Sequence, residues 1–336
     1  MFSFLRKLGQ PADPARDARL RQLQALNDGD ILCSHCGSRL PPPHPTPLEM
    51  RECLACGKLN LSPLRVGRFW LAEPLGSGGM GSVYLALDRQ RPGTACAVKV
   101  LTRGDKPKLR RVQTLCKEIL VARVLPPHPC LPGFVDGGYA DGEYYLAMEW
   151  IPGERLDKLL ETQGHLSEIQ TLLMALHLLA AEQAMLDAGF LYRDLKPENI
   201  LIRPGAYTAL VDFGLVLTLE HAANPAGRRL AGSPYFIPPE RVMGQPEDPR
   251  SELYSLGQVM YYALTGQTLY DAAEIEELVV RHVARLRVPL SQKLHQLRPE
   301  LAAVLQRLMA QQPDQRYPDL ATAAAALFAL LPTAAD

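Results

Sequence analysis

The hydrophobic pattern of this chain changes character once, at residues 149–153 ("EWIPG"), and that change limits the folds open to it. From Phe69 onward, short β-type runs, "RFWLAEPLG", "GSVYLALD", "ACAVKVL" and "YYLAMEW", are separated by Gly, Pro and Asp turns. A single helical stretch, "RRVQTLCKEILVARVL", interrupts them. After Ile151 come long apolar-periodic segments, "IQTLLMALHLLAAEQAMLDAG", "SELYSLGQVMYYALTG" and "ELAAVLQRLMAQ". A β-rich small lobe followed by an α-helical large lobe, an α+β arrangement hinged at 149–153, is the expectation. The 336 residues leave room for an appendage ahead of it. The expected division is an N-terminal helical segment over 1–30, a cysteine module over 31–62, a small lobe over 66–150 and a large lobe over 151–332. Within the first segment, "DPARDARLRQLQAL" permits one short amphipathic helix through Leu20, Leu23 and Leu26, with Asp13 as N-cap.

Lys plus Arg and Asp plus Glu both total 36, so no global field draws the protein to nucleic acid or anionic lipid. "MFSFLRKLGQ" lacks the apolar core of a secretory signal, and no run reaches the ~18 uninterrupted apolar residues of a membrane span. The Ala/Leu-rich "ATAAAALFALLP" reads as a terminal helix packed on a core. Four of the seven cysteines cluster early, while Cys96, Cys116 and Cys130 are scattered, which suits a reducing cytosol and a cytoplasmic protein.

That early cluster is Cys33-x2-Cys36, sixteen residues, then Cys53-x2-Cys56, the spacing of a tetrahedral four-thiolate Zn2+ site of the zinc-ribbon kind. Gly37 and Gly57 follow the pairs and permit the tight turns that aim backbone N–H groups at sulfur. About thirty residues cannot bury enough apolar surface to fold alone, so a metal replaces a core. With four sulfurs on the ion no activated water is expected. Residues 1–60 carry eight Lys or Arg against six Asp or Glu with no basic run, so docking of a protein regulator is expected over nucleic-acid binding. Only seven residues, "LNLSPLR", separate Lys58 from Val66, which tethers the module to the small lobe.

"LGSGGMGSVY" (Gly76, Ser77, Gly78, Gly79, Met80, Gly81, through Val83) lies between two strands, and its glycines let backbone N–H groups approach phosphate oxygens. A dinucleotide loop would open into a helix instead. Lys99 sits inside the apolar strand "AVKV", where an unpaired ammonium is expensive to hold, and Glu118 on the small lobe's helix is its natural partner.

With "LYRDLKPENILI" and "LVDFGL" the chain resembles the eukaryotic-type (Hanks-type) Ser/Thr protein kinases of bacterial style, from about Val66 to Leu331. The resemblance implies ATP-dependent phosphorylation of Ser/Thr on protein substrates, with ATP and Mg2+ as cofactors. It assigns Asp194 to the acceptor hydroxyl and Lys196 to the moving phosphoryl group. Asn199 and Asp212 would hold magnesium, and Lys99 with Glu118 the α- and β-phosphates. Met148 would guard the adenine pocket, with the backbone of Glu149 and Ile151 bonding adenine between Val83, Ala97 and Leu201. Ser233 in "GSPYFIPPE" would touch Asp194 and Lys196, and Glu240 would pair with Arg316.

Three residues depart from the family pattern. Tyr192 replaces a histidine. Glu252 replaces the aspartate that holds the catalytic-loop backbone, and its extra methylene could shift that loop. Arg193 belongs to the type that pairs with a phosphorylated activation-segment residue, yet "LEHAANPAGRRLAG" from Leu219 to Gly232 has no Ser, Thr or Tyr. Glu220 or a binding partner could take the phosphate's place, or Arg193 could simply pair with a local carboxylate. Two other classes stay open: a pseudokinase scaffold that binds nucleotide or partners without efficient transfer, and a zinc-ribbon nucleic-acid binder with an attached kinase fold.

Overall fold

The computed structural model of the chain describes residues 14–41, 46–78, 81–101, 109–203, 205, 207–224, 232–270, 294 and 296–332. Its contacts fall into two compact units, Met1–Ile119 with Phe134–Trp150, and Leu120–Gly133 with Ile151–Asp336.

The first unit opens with α1 (Pro14–Asn27). Two hairpins follow, β1 (Ile31–Leu32) with β2 (Arg39–Leu40) and β3 (Met50–Glu52) with β4 (Leu59–Leu61). A six-stranded antiparallel sheet is then built from β5 (Leu64–Val66), β6 (Phe69–Gly78), β7 (Gly81–Asp88), β8 (Ala95–Val100), β9 (Phe134–Ala140) and β10 (Glu143–Glu149), in the order β5-β6-β7-β8-β10-β9. The helix α2 (Leu109–Val124) lies between β8 and β9 in sequence. Strands β6, β7, β8 and β10 are the four β-type runs of the sequence, and β5 and β9 lie outside those runs.

Register decides what each face of the sheet carries. Val83 pairs with Lys99 and Leu85 with Ala97, while Leu146 and Met148 of β10 pair with Lys99 and Ala97. Side chains alternate along a strand, so these six residues share one face. The other face is a core of Leu64, Val66, Phe69, Leu71, Ala86, Cys96, Val98, Val100, Tyr145 and Ala147, with Leu48 of the cysteine module packed against it. Two backbone bonds, Leu48 N–H to Ser62 O and Ser62 N–H to Glu49 O, both 2.8 Å, brace that contact. The short tether thus leaves the module resting on the sheet. Leu23 and Leu26 of α1 bury against Leu87, Ile31 and Trp70, and the Arg19 guanidinium lies 5.7 Å from the centre of the Trp150 ring. Asp13, the expected cap of α1, falls outside the described residues.

The second unit is helical with short strand pairs. Its elements are β11 (Glu154–Arg155), α3 (Leu156–Gln163), α4 (Glu168–Asp187), β12 (Phe190–Leu191), β13 (Ile200–Ile202), β14 (Ala209–Leu210), β15 (Leu217–Thr218), α5 (Leu219–Ala223), α6 (Pro239–Val242), α7 (Pro249–Thr265), α8 (Pro299–Leu308) and α9 (Leu320–Phe328). The central helix α4 starts at a capping box: Gln170 N–H donates to Ser167 Oγ at 3.2 Å, and Ser167 N–H to Gln170 Oε1 at 2.9 Å. By length and composition α4 is the one helix among the described residues long and apolar enough to cross a membrane, and half of its apolar window is buried within the fold. Both α7 and α9 pack on it, and Leu172, Leu178 and Met185 are enclosed. In α7, Asp248 caps the N-terminus by accepting the Arg250 N–H, Pro249 follows it, and Gly266 ends the helix in the left-handed region.

The expected Glu240–Arg316 pair forms as a fork: Nη1 to Oε1 and Nη2 to Oε2, each 2.8 Å, both side chains buried. Arg316 also donates to the carbonyls of Ala310 and Arg250 and lies 5.0 Å from the Tyr254 ring centre. Removing one member leaves a bare buried charge. Arg316→Ala is therefore expected to destabilise the chain by about 3–5 kcal/mol, read as a lower midpoint in chemical denaturation; a loss under about 1 kcal/mol would mean the pair behaves as a surface contact.

Candidate active site

The first unit carries one group of the candidate residues. The Lys99 ammonium meets both Glu118 oxygens, at 2.9 and 2.8 Å, with both residues buried. Pairing Lys99 with a carboxylate on α2 solves the cost of an ammonium inside an apolar strand. The β6–β7 hairpin lies beside it in the sheet, with Gly76 opposite Val83, Ser77 opposite Ser82 and Gly78 opposite Gly81. Gly81 has φ +142, and a Cβ there would sit 2.5 Å from the Val100 carbonyl oxygen. Only glycine lets the hairpin lie that close to β8. Gly79 and Met80 fall outside the described residues. Val83, Ala97 and Met148 line the same face as Lys99, and Glu149 ends β10.

The second unit carries a separate group. Asp194 Oδ2 accepts from Lys196 Nζ and Asn199 Nδ2, each at 2.8 Å, and Asn199 Nδ2 also reaches the Asp194 carbonyl at 2.9 Å. Asp194 Oδ1 is buried with no hydrogen-bond partner among the described residues. Burial pushes the Asp194 carboxyl above its usual range, opposed by the Lys196 charge. An acceptor oxygen of raised basicity with an open lone pair suits a group that takes a hydroxyl proton.

Asp212 is set beside this loop by a clasp at Val211. The Val211 N–H donates to the Asn199 carbonyl at 2.9 Å, and the Tyr192 hydroxyl donates to the Val211 carbonyl at 2.6 Å. Tyr192 thus keeps a positional role where the family has histidine. Asp212 itself has φ +68 and accepts the Gly214 N–H through Oδ1 at 3.1 Å. In the second unit Leu201 lies on β13 and Ile151 is buried ahead of β11.

Glu252 reaches the loop despite its altered length, its Oε1 accepting the Arg193 N–H at 2.8 Å. Arg193 pairs with a local carboxylate, Glu247, through Nε at 3.1 Å and Nη2 at 2.8 Å to Oε1. Ser233 departs from expectation. Its carbonyl accepts the Phe236 N–H at 3.1 Å, but its side chain makes no hydrogen bond to Asp194 or Lys196, whose own contact is Lys196 Nζ to Asp194 Oδ2.

In the cysteine module the four Sγ atoms lie within 4.8 Å of one another, with Cys33–Cys56 and Cys36–Cys53 both at 3.7 Å. Four sulfurs at ~2.3 Å from a tetrahedral ion would be about 3.8 Å apart. The two knuckles repeat one pattern: Gly37 N–H to Cys33 O, Gly57 N–H to Cys53 O, Cys33 N–H to Ser38 O and Cys53 N–H to Lys58 O, with Gly37 and Gly57 at positive φ. Burial pushes the Cys33 thiol up, but N–H donors from Cys36 and His35 outweigh it and bring it down to about 6. The buried Asn60 ties the knuckles together, accepting from Ser34 N–H at 2.8 Å and donating to the Lys58 carbonyl at 2.9 Å. Geometry and donor chemistry both fit a metal ion.

Sequence reasoning missed Glu182, Arg241, Glu247 and Asn60. Glu182 had a signal, since it falls four residues after Leu178 and three before Met185 on the buried stripe of α4. Its two oxygens and Glu252 Oε2 are buried without hydrogen-bond partners among the described residues. Burial, then the charge of Glu252, raises the Glu182 carboxyl well above its ordinary range. Burial raises Glu252 from 4.5 to about 7 against the opposing charge of Arg241. The folded state therefore binds more protons than the unfolded state between these values, and stability falls as pH rises from about 4.5 through about 7. Glu182→Gln removes one of the two carboxyls, so its gain in melting temperature is expected to be larger at pH 8 than at pH 5. A pH-independent difference between variant and wild type would show that Glu182 does not titrate in this window.

Comparison with known proteins agrees with this arrangement. The sequence profile of the protein kinase domain matches residues 69–327. The serine/threonine-protein kinase PknB of Mycolicibacterium smegmatis is 30% identical over 256 residues, 74% of this chain and 41% of that protein. The serine/threonine-protein kinase pkn2 of Myxococcus xanthus is 33% identical over 232 residues, 67% of this chain and 27% of that protein. The serine/threonine-protein kinase PknA of Mycobacterium tuberculosis is 30% identical over 256 residues, 75% of this chain and 58% of that protein. The chain spans less than two thirds of the length of each of these relatives. A buried lysine–glutamate pair, a glycine hairpin, the Asp194–Lys196–Asn199 cluster and a profile match over most of the sequence lead to one assignment: the chain belongs to the protein kinase domain family.

Proposed function

We propose that the chain transfers the γ-phosphoryl group of ATP to Ser and Thr hydroxyls of protein substrates. The observation that carries this reading is the Asp194 carboxylate, held through Oδ2 by Lys196 and Asn199 with Oδ1 buried and open. Asp194 accepts or orients the proton of the acceptor hydroxyl as its oxygen bonds to phosphorus and ADP leaves. Lys196 offsets charge on the group in transit. Lys99, oriented by Glu118, holds the α- and β-phosphates. Asn199 and Asp212 offer the oxygen donors that Mg2+ prefers, and the ion when bound neutralises charge on the phosphates. The names of the relatives, all serine/threonine-protein kinases, support the substrate class. Glu252, the main ground for a scaffold without transfer, still holds the loop backbone, so no observation favours that alternative.

The thiol cluster is proposed to hold Zn2+ as a structural ion, since four sulfurs fill its coordination. Its place on the sheet face opposite Lys99 supports a docking or regulatory role for a protein partner rather than a part in transfer. The unpaired Cys96, Cys116 and Cys130 suit a cytoplasmic location.

Incubation of the purified chain with labelled ATP, Mg2+ and a mixed Ser/Thr peptide pool, followed by phosphosite mapping, tests the main reading. Asp194→Asn is expected to lower kcat by about 10²–10⁴-fold with nucleotide affinity little changed. Near-wild-type transfer by that variant would remove Asp194 from the reaction. For the metal, elemental analysis is expected to find about one zinc per chain, lost in Cys33→Ser/Cys36→Ser together with amide-exchange protection over residues 31–62. Retention of that protection without metal would show that the module folds on its own side-chain contacts.

A further inference from the structure

One buried charge cluster remains outside the roles just described. Glu247, in the loop between α6 and α7, receives Arg193 at Oε1 and Arg241 Nε at Oε2, 2.7 Å away, with all three side chains buried. Arg241 Nη1 donates in turn to the Arg193 carbonyl at 2.6 Å. The Glu247 backbone N–H donates to the Ala222 carbonyl at 3.0 Å, at the end of α5. One residue therefore binds the guanidinium just before Asp194, the helix that follows the Ser233 segment, and the chain that follows Thr218.

We propose that Glu247 is a positioning residue that holds the Asp194 loop in its working geometry and makes transfer independent of phosphate in the Leu219–Gly232 segment. The proposal rests on the Ser/Thr-transfer reading given above. Arg193 has φ +73, a conformation that a non-glycine side chain keeps only when its surroundings hold it. Glu252 holds the backbone N–H of Arg193, Arg241 its carbonyl and Glu247 its side chain. Nε and Nη2 of Arg193, the pair that would fork onto a phosphate, are both occupied by the carboxylate, while Nη1 meets the Leu215 carbonyl at 3.4 Å. A phosphate would have to displace a buried ion pair to reach them. The stretch from Leu219 to Gly232 has no hydroxyl, and the neighbouring Thr218 hydroxyl is engaged as the cap of α5, accepting the His221 N–H at 3.3 Å. Burial pushes Glu247 up, yet the two arginines outweigh it and keep it ionised.

The test uses the full chain, ATP with Mg2+ and the Ser/Thr peptide pool. Wild type stripped by a protein phosphatase, with removal checked by intact mass, should keep its kcat within about twofold. Glu247→Gln should lose at least about tenfold in kcat with KM for ATP within about twofold, and should keep its thermal upshift by nucleotide. Arg193→Ala should show the same split, and Arg193→Ala/Glu247→Gln should add little, because the carboxylate acts through the guanidinium. If Glu247→Gln does not fold, Arg193→Ala, which leaves Glu247 paired with Arg241, carries the same kcat-against-KM comparison. An unchanged kcat in whichever variant is read, a parallel rise in KM for ATP, multiplicative losses in the double variant, or a tenfold loss on dephosphorylation of wild type would each overturn the proposal. Absence of any Asp194-dependent transfer by wild type is a different result, which would overturn the Ser/Thr-transfer reading beneath it.

Discussion

Two residues of the second unit, Arg193 and Asp212, hold left-handed backbone conformations that cost about 1–3 kcal/mol each in a non-glycine residue. Much of the local architecture exists to keep them there. Glu252 projects from the buried helix α7 to take the Arg193 N–H, and Arg241 takes its carbonyl. Val211, next to Asp212, is gripped at its N–H by the Asn199 carbonyl and at its carbonyl by Tyr192. The aromatic residue at 192 is thus a hydrogen-bonding strut, its phenol hydroxyl donating to the Val211 carbonyl. Relax either bend and Asp194, Asn199 and Asp212 lose their common geometry.

Buried charge is handled in three different ways in the chain. Lys99 and Glu118 cancel as a closed pair, which in a kinase must open part of its hydrogen-bonding capacity to phosphate. Arg193, Glu247 and Arg241 form a branched cluster in which one carboxylate serves two guanidinium groups. Glu182 and Glu252 have no cation dedicated to them, and burial raises both carboxyls above their ordinary range. The three solutions sit at sites of different purpose, and Glu182, Arg241 and Glu247 lie outside the residues that the family motifs mark.

The two-lobed plan was legible because the period of apolar residues changes from two to 3.6 near Ile151, and a period survives most substitutions on the exposed face. The motif residues were legible because their spacing is dense: Asp194, Lys196 and Asn199 fall within six positions and meet as one cluster. Strand β9 was not, since Gly137 and Gly138 in "FVDGGYA" read as a turn, and what makes the segment a strand is its pairing with β10. Glu247 sits in "GQPEDP", a string with every mark of an exposed loop, and its burial comes from two arginines supplied from elsewhere in the fold. The Ser233 side chain makes no hydrogen bond to either Asp194 or Lys196, and spacing along the chain does not reveal which of several polar neighbours a lysine will meet.

The amide of Asn60 has a consequence for how the thiol cluster meets its ion. By bridging Ser34 and the Lys58 carbonyl it cross-links the two knuckles, so that the folded module holds both cysteine pairs at chelating distance. The ordering entropy of the chelate falls on the capture event itself, because binding and folding of the module are one step. A cage that closes in this way discriminates by shape: ions content with a tetrahedron of soft donors complete it, whereas those that demand six oxygen-rich positions or a square plane leave the knuckles apart.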